Sequence, residues 1–176
     1  MSTIRVAWGS ATASTEMASY DAALADAGVE NYNLVTVSSV IPAAADVEAV
    51  GTAPDLGPAG ERLTVVQARA TVRGEGRASS ALAWAQSDSG NGPGLFYENA
   101  GEADPATVES RVLEGLAGGQ TLREWVFDEP ETRIETVRGE PDGYATAVVL
   151  AVYGESEPIC WGFSRVSRRR WSQRAG

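Results

Sequence analysis

The hydrophobic pattern switches between a period of two and a period of about three and a half, and the switches mark out the elements. Thr3-Ile4-Arg5-Val6-Ala7-Trp8-Gly9 alternates as a strand does, and Gly9 with the Ser/Ala/Thr stretch behind it closes the run. From Ser14, read as an N-cap, to about Ala27 the spacing is helical: Met17, Tyr20 and Leu24 share a face, Glu16 favours the first-turn dipole and Gly28 suits C′. Asp21 flanks that face, either as a boundary acid that reaches water or as a carboxylate held for a cation. Tyr32 to Ile41 is an apolar, β-branched run that reads as one strand stopped by Pro42, and 43–60 has no period and reads as a loop. Arg62 to Arg73 alternates as a long strand, Ala78 to Gln86 reads as a short helix, and Ser87 to Gly94 is a loop. Gly94 to Gly101 is a strand with Glu98 near its end. Asp104 and Pro105 give the N-cap and N1 of a helix with Val108, Val112, Leu113 and Leu116 on its apolar face, ended by Gly118-Gly119. Strands follow near Leu122 to Phe127, Thr132 to Arg138 and Tyr144 to Tyr153, with a turn at Asp142-Gly143 before the last. Helices and strands alternate early and strands gather late, which predicts an α+β layered sandwich rather than a doubly wound sheet.

One stretch stands out chemically. In Asn33-Leu34-Val35-Thr36-Val37-Ser38-Ser39-Val40-Ile41-Pro42 two serines sit inside a strand pattern. Adjacent strand residues face opposite ways, so one hydroxyl must point inward, where an unpartnered one costs about 1–3 kcal/mol. Either a cross-strand hydrogen bond satisfies it or the Ser38–Ser39 peptide bond is a place of chemistry.

Composition narrows the chemistry. All 14 basic residues are arginine, and with no histidine and no lysine the chain offers no Ser-His-Asp or Cys-His nucleophile, no ordinary zinc site, no pyridoxal phosphate Schiff base and no P-loop. An enzyme of this composition needs an electrophile from elsewhere. A net charge of −10 argues against nucleic acid or an anionic membrane as partner. The 176 residues suit one domain, no apolar run approaches a membrane span and no leader pattern opens the chain, so a cytoplasmic protein is expected, and the lone Cys160 fits that. The acidic, lysine-free composition is that of proteins from salt-accumulating halophiles.

The serine stretch, the earlier Tyr20-Asp21-Ala22-Ala23-Leu24 with Ala27-Gly28, and the later Gly94-Leu95-Phe96-Tyr97-Glu98 with Gly101 together resemble the pyruvoyl-dependent arginine decarboxylases, in order and in spacing. The resemblance covers about residues 3 to 154, which sets a decarboxylase domain at 1–154 and an Arg/Trp-rich extension at 155–176. It implies the layered α/β/β/α sandwich of the pyruvoyl-dependent histidine and arginine decarboxylases. It also implies that the Ser39 hydroxyl attacks the Ser38 carbonyl, giving a β chain of residues 1–38 and an α chain of 39–176 capped by a pyruvoyl group made from Ser39. That covalent group is the cofactor, with no pyridoxal phosphate and no metal, and it forms a Schiff base with the amine of L-arginine as agmatine and CO2 are produced. By the same resemblance Glu98 is the proton donor, which favours a partly desolvated site. Asp21 pairs with the substrate guanidinium, Met17 and Tyr20 line its aliphatic stem, and Asn33 orients the bond that is cut. The protein is expected to be a homotrimer with sites between neighbours. Where the family carries Glu-Tyr-Glu-Gly, this chain has Glu98-Asn99-Ala100-Gly101 and lacks the second acid.

Two rival readings accompany this one: a pyruvoyl decarboxylase of another amino acid, and a non-catalytic structural or regulatory domain that keeps the fold. The cluster from Arg165 to Arg174 is read as a solvated or intersubunit segment that meets the acidic body. The charge pattern makes one prediction of its own. At molar salt, screening acts over about 3 Å and removes acidic self-repulsion, so thermal unfolding should occur at higher temperature in molar KCl than in dilute buffer. Equal midpoints in the two would contradict a halophilic surface.

Overall fold

A computed structural model describes residues 3–159. The chain forms β1 (Thr3–Ala13), α1 (Glu16–Asp26), β2 (Asn33–Thr36), β3 (Val40–Ile41), β4 (Asp46–Gly51), β5 (Arg62–Arg73), β6 (Arg77–Ala85), β7 (Gly94–Gly101), α2 (Pro105–Gln120), β8 (Glu131–Arg138) and β9 (Tyr144–Tyr153). One sheet has the order β2-β5-β9-β1-β4 and the other β3-β7-β6-β8. Three apolar seams make four layers of these parts. Leu24, Ala27, Val65, Val148 and Leu150 join α1 to the first sheet. Val6, Ile41, Leu82, Phe96 and Val149 fill the space between the sheets. Ala83, Leu95, Val108, Val112 and Leu116 join the second sheet to α2. This is the α/β/β/α sandwich that the sequence suggested. The central strand β9 is apolar throughout because both of its faces are covered: Val148 and Leu150 face α1 while Val149 and Ala151 face the other sheet.

Several local readings are corrected. The run from Tyr32 to Ile41 is two short strands in different sheets, β2 parallel to β5 and β3 antiparallel to β7. The stretch 78–86 is strand β6, not a helix: its alanines favour helix in isolation, but it is buried on both faces in the centre of a sheet, where packing overrides propensity. Its two serines are satisfied inside, Ser79 Oγ donating to Ala103 O at 2.7 Å and Ser80 Oγ to Ala147 O at 2.7 Å. The loop 43–60 contains β4, an edge strand whose largely exposed side chains leave no hydrophobic period to read. The stretch Leu122 to Phe127 does alternate between exposed and half-buried positions, but it joins the sheet only by a bridge from Phe127 to Ser87. Thr15, not Ser14, caps α1, accepting from Ala18 N–H at 3.2 Å, and the buried face of that helix is Ser19, Ala23 and Leu24, leaving Met17 67% exposed. Helix α2 has the expected N-cap Asp104 but continues past Gly118-Gly119 to Gln120. After β9 the chain stays on the body: Ser156 N–H donates to Leu56 O at 2.8 Å, and Arg62 pairs with Glu157. Cys160 and the arginines from Arg165 to Arg174 lie outside the described residues.

Helix α1 lies on β1 at Gly9. A Cβ there would strike the Ala23 carbonyl oxygen and come within 2.7 Å of the Ala27 nitrogen, so the closeness of the layer depends on its absence. Gly9→Ala is therefore expected to lower stability by about 1–3 kcal/mol in urea unfolding. Gly118→Ala, whose Cβ would meet nothing within 4 Å, should be neutral or slightly stabilising. Equal effects at the two positions would contradict this packing.

Candidate active site

Between β2 and β3 the chain leaves one sheet and enters the other. Val37 N–H still donates to Val65 O at 3.0 Å, and Val40 is already paired with Leu95. Ser38 and Ser39 lie between, outside both ladders. The serine pair is thus not inside a buried strand: Ser38 is exposed and Ser39 half-buried. Their backbone is nevertheless tightly held. The Ser38 carbonyl accepts from Val40 N–H at 3.0 Å, closing a three-residue turn over Ser39, and the Ser39 carbonyl accepts from Phe96 N–H at 2.8 Å. The Val40 carbonyl accepts from the Tyr153 hydroxyl at 3.0 Å, and the Ser39 hydroxyl donates to Glu98 Oε2 at 3.2 Å.

Glu98 reaches this point because of the strand geometry. It shares the face of Phe96, which packs between the sheets, but β3 covers β7 only at Gly94 and Leu95. Beyond those two residues the edge of β7 is open, and Glu98 emerges there. A cleft of about 400 Å³ results, walled by Val40, Leu95 and Tyr97 and holding Ser38, Ser39, Glu98 and Arg123. Arg123 Nη1 donates to Gly119 O at 2.7 Å, so a cation caps the C-terminal end of α2 while adding positive charge to the cleft. Burial, and then the negative charge of Glu98, push the Tyr153 phenol up to about 12. The phenol stays protonated and remains a donor at any ordinary pH. A folded value above that of a free phenol contributes stability that is fully present below pH about 10 and is lost as pH rises toward 12.

The remaining expected site residues lie elsewhere on the chain. Met17, Tyr20 and Asp21 line a second cleft of about 450 Å³ on α1, together with Leu24, Glu30 and Tyr32. The Tyr20 ring there is fixed, with the Arg69 guanidinium 3.9 Å from its centroid and Gln67 Nε2 donating to its hydroxyl at 2.9 Å. The two clefts share no lining residue. Asn33 borders neither, and its side-chain amide donates to Gly60 O at 2.6 Å, at the start of β2. The structure therefore unites Ser38, Ser39 and Glu98, groups Met17, Tyr20 and Asp21 separately, and ties Asn33 to a neighbouring loop.

A serine hydroxyl against a carboxylate, beside a peptide bond outside both ladders, is an arrangement for acyl transfer within the chain. Comparisons with known proteins give the family. The family model described as pyruvoyl-dependent arginine decarboxylase matches residues 3–158. The chain belongs to the pyruvoyl-dependent arginine decarboxylase family. A pyruvoyl-dependent arginine decarboxylase of Halobacterium salinarum is 57% identical over 90% of this chain and 98% of its own length. Those of Thermococcus sibiricus and Pyrococcus horikoshii are each 32% identical, over 82% and 79% of this chain and 91% and 88% of their own. The residues fit the covalent group of this family: Ser39 stands at the cleft wall with its carbonyl fixed by Phe96 N–H and its side chain turned to Glu98.

Sequence reasoning missed Tyr153, Tyr97 and Arg123. Tyr153 looked like the end of an apolar strand and Arg123 like one member of an alternating run; the packing of the two sheets brings the first to Val40, and the end of α2 brings the second to the cleft. Tyr97 was visible within the Gly-Leu-Phe-Tyr-Glu block but had no role assigned.

Proposed function

We propose that this chain is a self-processing arginine decarboxylase that converts L-arginine to agmatine and CO2. The observation that carries the reading is the Ser39 hydroxyl, hydrogen-bonded to Glu98 in a cleft and outside both sheets, in a member of this family. In the uncut chain Ser39 Oγ attacks the Ser38 carbonyl carbon, Glu98 takes up the hydroxyl proton and passes it to the Ser39 nitrogen as the C–N bond breaks, and the amide becomes an ester with a free amine on residue 39. Val40 N–H, already on the Ser38 carbonyl oxygen, stabilises the negative charge that develops there. Loss of the Ser39 α-proton then expels Ser38 as a carboxylate, and water releases ammonia from residue 39. The pyruvoyl group so formed supplies the ketone that binds the substrate amine and accepts electrons as CO2 departs. Glu98 is placed to return a proton to the carbon that loses CO2, and Phe96 N–H polarises the carbonyl of residue 39.

The second half of the site comes from a neighbouring copy. Asp21 supplies the acid for a guanidinium, whose planar fork of donors matches a carboxylate, and Met17 and Tyr20 supply the walls. The separation of the two clefts within one protomer supports this. So do the exposed apolar side chains: Val35, Val37 and Val40 flank the serines, Met17 lies at the second cleft, and Leu122 and Val126 are 78% and 77% exposed. A homotrimer of cut protomers satisfies both. Among the described residues no helix is long and apolar enough to cross a membrane, and the reading places the enzyme in the cytoplasm of a halophile.

The tests separate the parts. Purified protein should release CO2 from L-arginine and not from lysine, ornithine or histidine; turnover of another amino acid instead would move the reading to that substrate. Ser39→Ala should leave the chain whole. Glu98→Gln that is cut should turn over at least about 100-fold more slowly, and full activity would remove it as proton donor. Asp21→Asn and Ser39→Ala chains, each nearly inactive alone, should regain activity when co-assembled. A mixture no better than its components would contradict a site shared between copies.

A further inference from the structure

Cutting the chain after Ser38 removes two of the constraints on the reactive end. The hydrogen bond from Val40 N–H to the Ser38 carbonyl, and the covalent run into β2, both depend on the intact bond. Residue 39 is then the first residue of a chain whose only strand before the loop is the two-residue β3. Two ties seen in the uncut chain do not need Ser38: Phe96 N–H on the carbonyl of residue 39, and the Tyr153 hydroxyl on the carbonyl of Val40.

We propose that Tyr153 is a positioning residue that anchors Val40, and through it the amide carbonyl of residue 39 and the ketone next to it, once the backbone has been cut. Tyr153 comes from the last residue of β9, a strand buried along nearly its whole length at the centre of the other sheet. The anchor therefore bridges from the buried central strand of one sheet to the shortest strand of the other. Its ring is set edge-on to Phe96, with centroids 6.2 Å apart and planes at 70°, and Phe96 is also the residue whose N–H holds the carbonyl of residue 39. One packed pair thus places both surviving donors. Burial, and then Glu98, keep the phenol protonated, so the donor persists through neutral and mildly alkaline pH. The proposal rests on the self-processing reading above, since before cutting the same segment is held from both sides.

Tyr153→Phe keeps the ring and removes only the hydroxyl. The variant should be cut to the same extent as the natural chain by denaturing gel and intact mass. In the cut protein, hydrogen exchange in the peptide covering residues 39–45 should be about 5-fold faster, with β5 and β9 unchanged, as expected for loss of one hydrogen bond of about 1 kcal/mol at a chain end. Turnover normalised to hydrazine-reactive ketone should fall by about 5- to 10-fold, with KM within about twofold. Tyr144→Phe, at the opposite end of β9, is the control and should leave both readouts unchanged. Exchange and turnover of Tyr153→Phe within about twofold of the natural protein would overturn the proposal while leaving the processing reading intact. A natural chain that is never cut would overturn both, and the gel alone distinguishes the two failures.

Discussion

The active site depends on a change of sheet. At one edge of the sandwich the chain ends its pairing with β5 at Thr36 and begins pairing with β7 at Val40, so the intervening peptides can belong to neither ladder. A peptide bond inside a ladder is shielded and held by its neighbours, and attack on its carbonyl would require breaking them. At this crossing the Ser38 carbonyl is held by a three-residue turn, and the hydroxyl of the next residue is turned to Glu98. The same shortness of β3 that frees the serines leaves the edge of β7 open, and Glu98 occupies that opening. Reactive bond and acid are thus two consequences of one short edge strand.

This explains how a chain without histidine or lysine can carry out amine chemistry. On the proposed reading the missing electrophile is made from the backbone, and the missing base is Glu98, which accepts from the Ser39 hydroxyl. The cost is a reactive residue at a new chain end, which must be kept in register by something other than the covalent chain. Phe96 and Tyr153, packed on each other, provide donors for that purpose from two different sheets. Asp21 stands apart on α1, in keeping with a division of labour in which one copy brings chemistry and another brings selectivity.

Much of the fold was legible because its long strands and helices carry ordinary signals: β5 through its alternation, β9 through its uniformly apolar run, α2 through its Asp-Pro start. The failures share a cause. In β6 both faces are buried, so the period of two vanished and the alanines suggested helix; in β4 hardly any face is buried, so there was no period at all. The break between β2 and β3 was hidden because Val35, Val37 and Val40 keep an apolar pattern across it. They are exposed in the protomer and read from sequence as core. At the site, Ser39 and Glu98 were visible through their motifs, whereas Tyr153 reaches Val40 only through the packing of the two sheets and Arg123 enters the cleft from the end of α2, neither of which local sequence encodes.

The central claim is that residue 39 carries a ketone made from serine. It is tested most directly by treating the purified protein with a hydrazine or with borohydride and mapping the adduct by peptide mass spectrometry. The account predicts a single labelled residue, number 39, at the first position of the larger fragment. An unlabelled protein whose chain runs intact through Ser38 and Ser39 would contradict it.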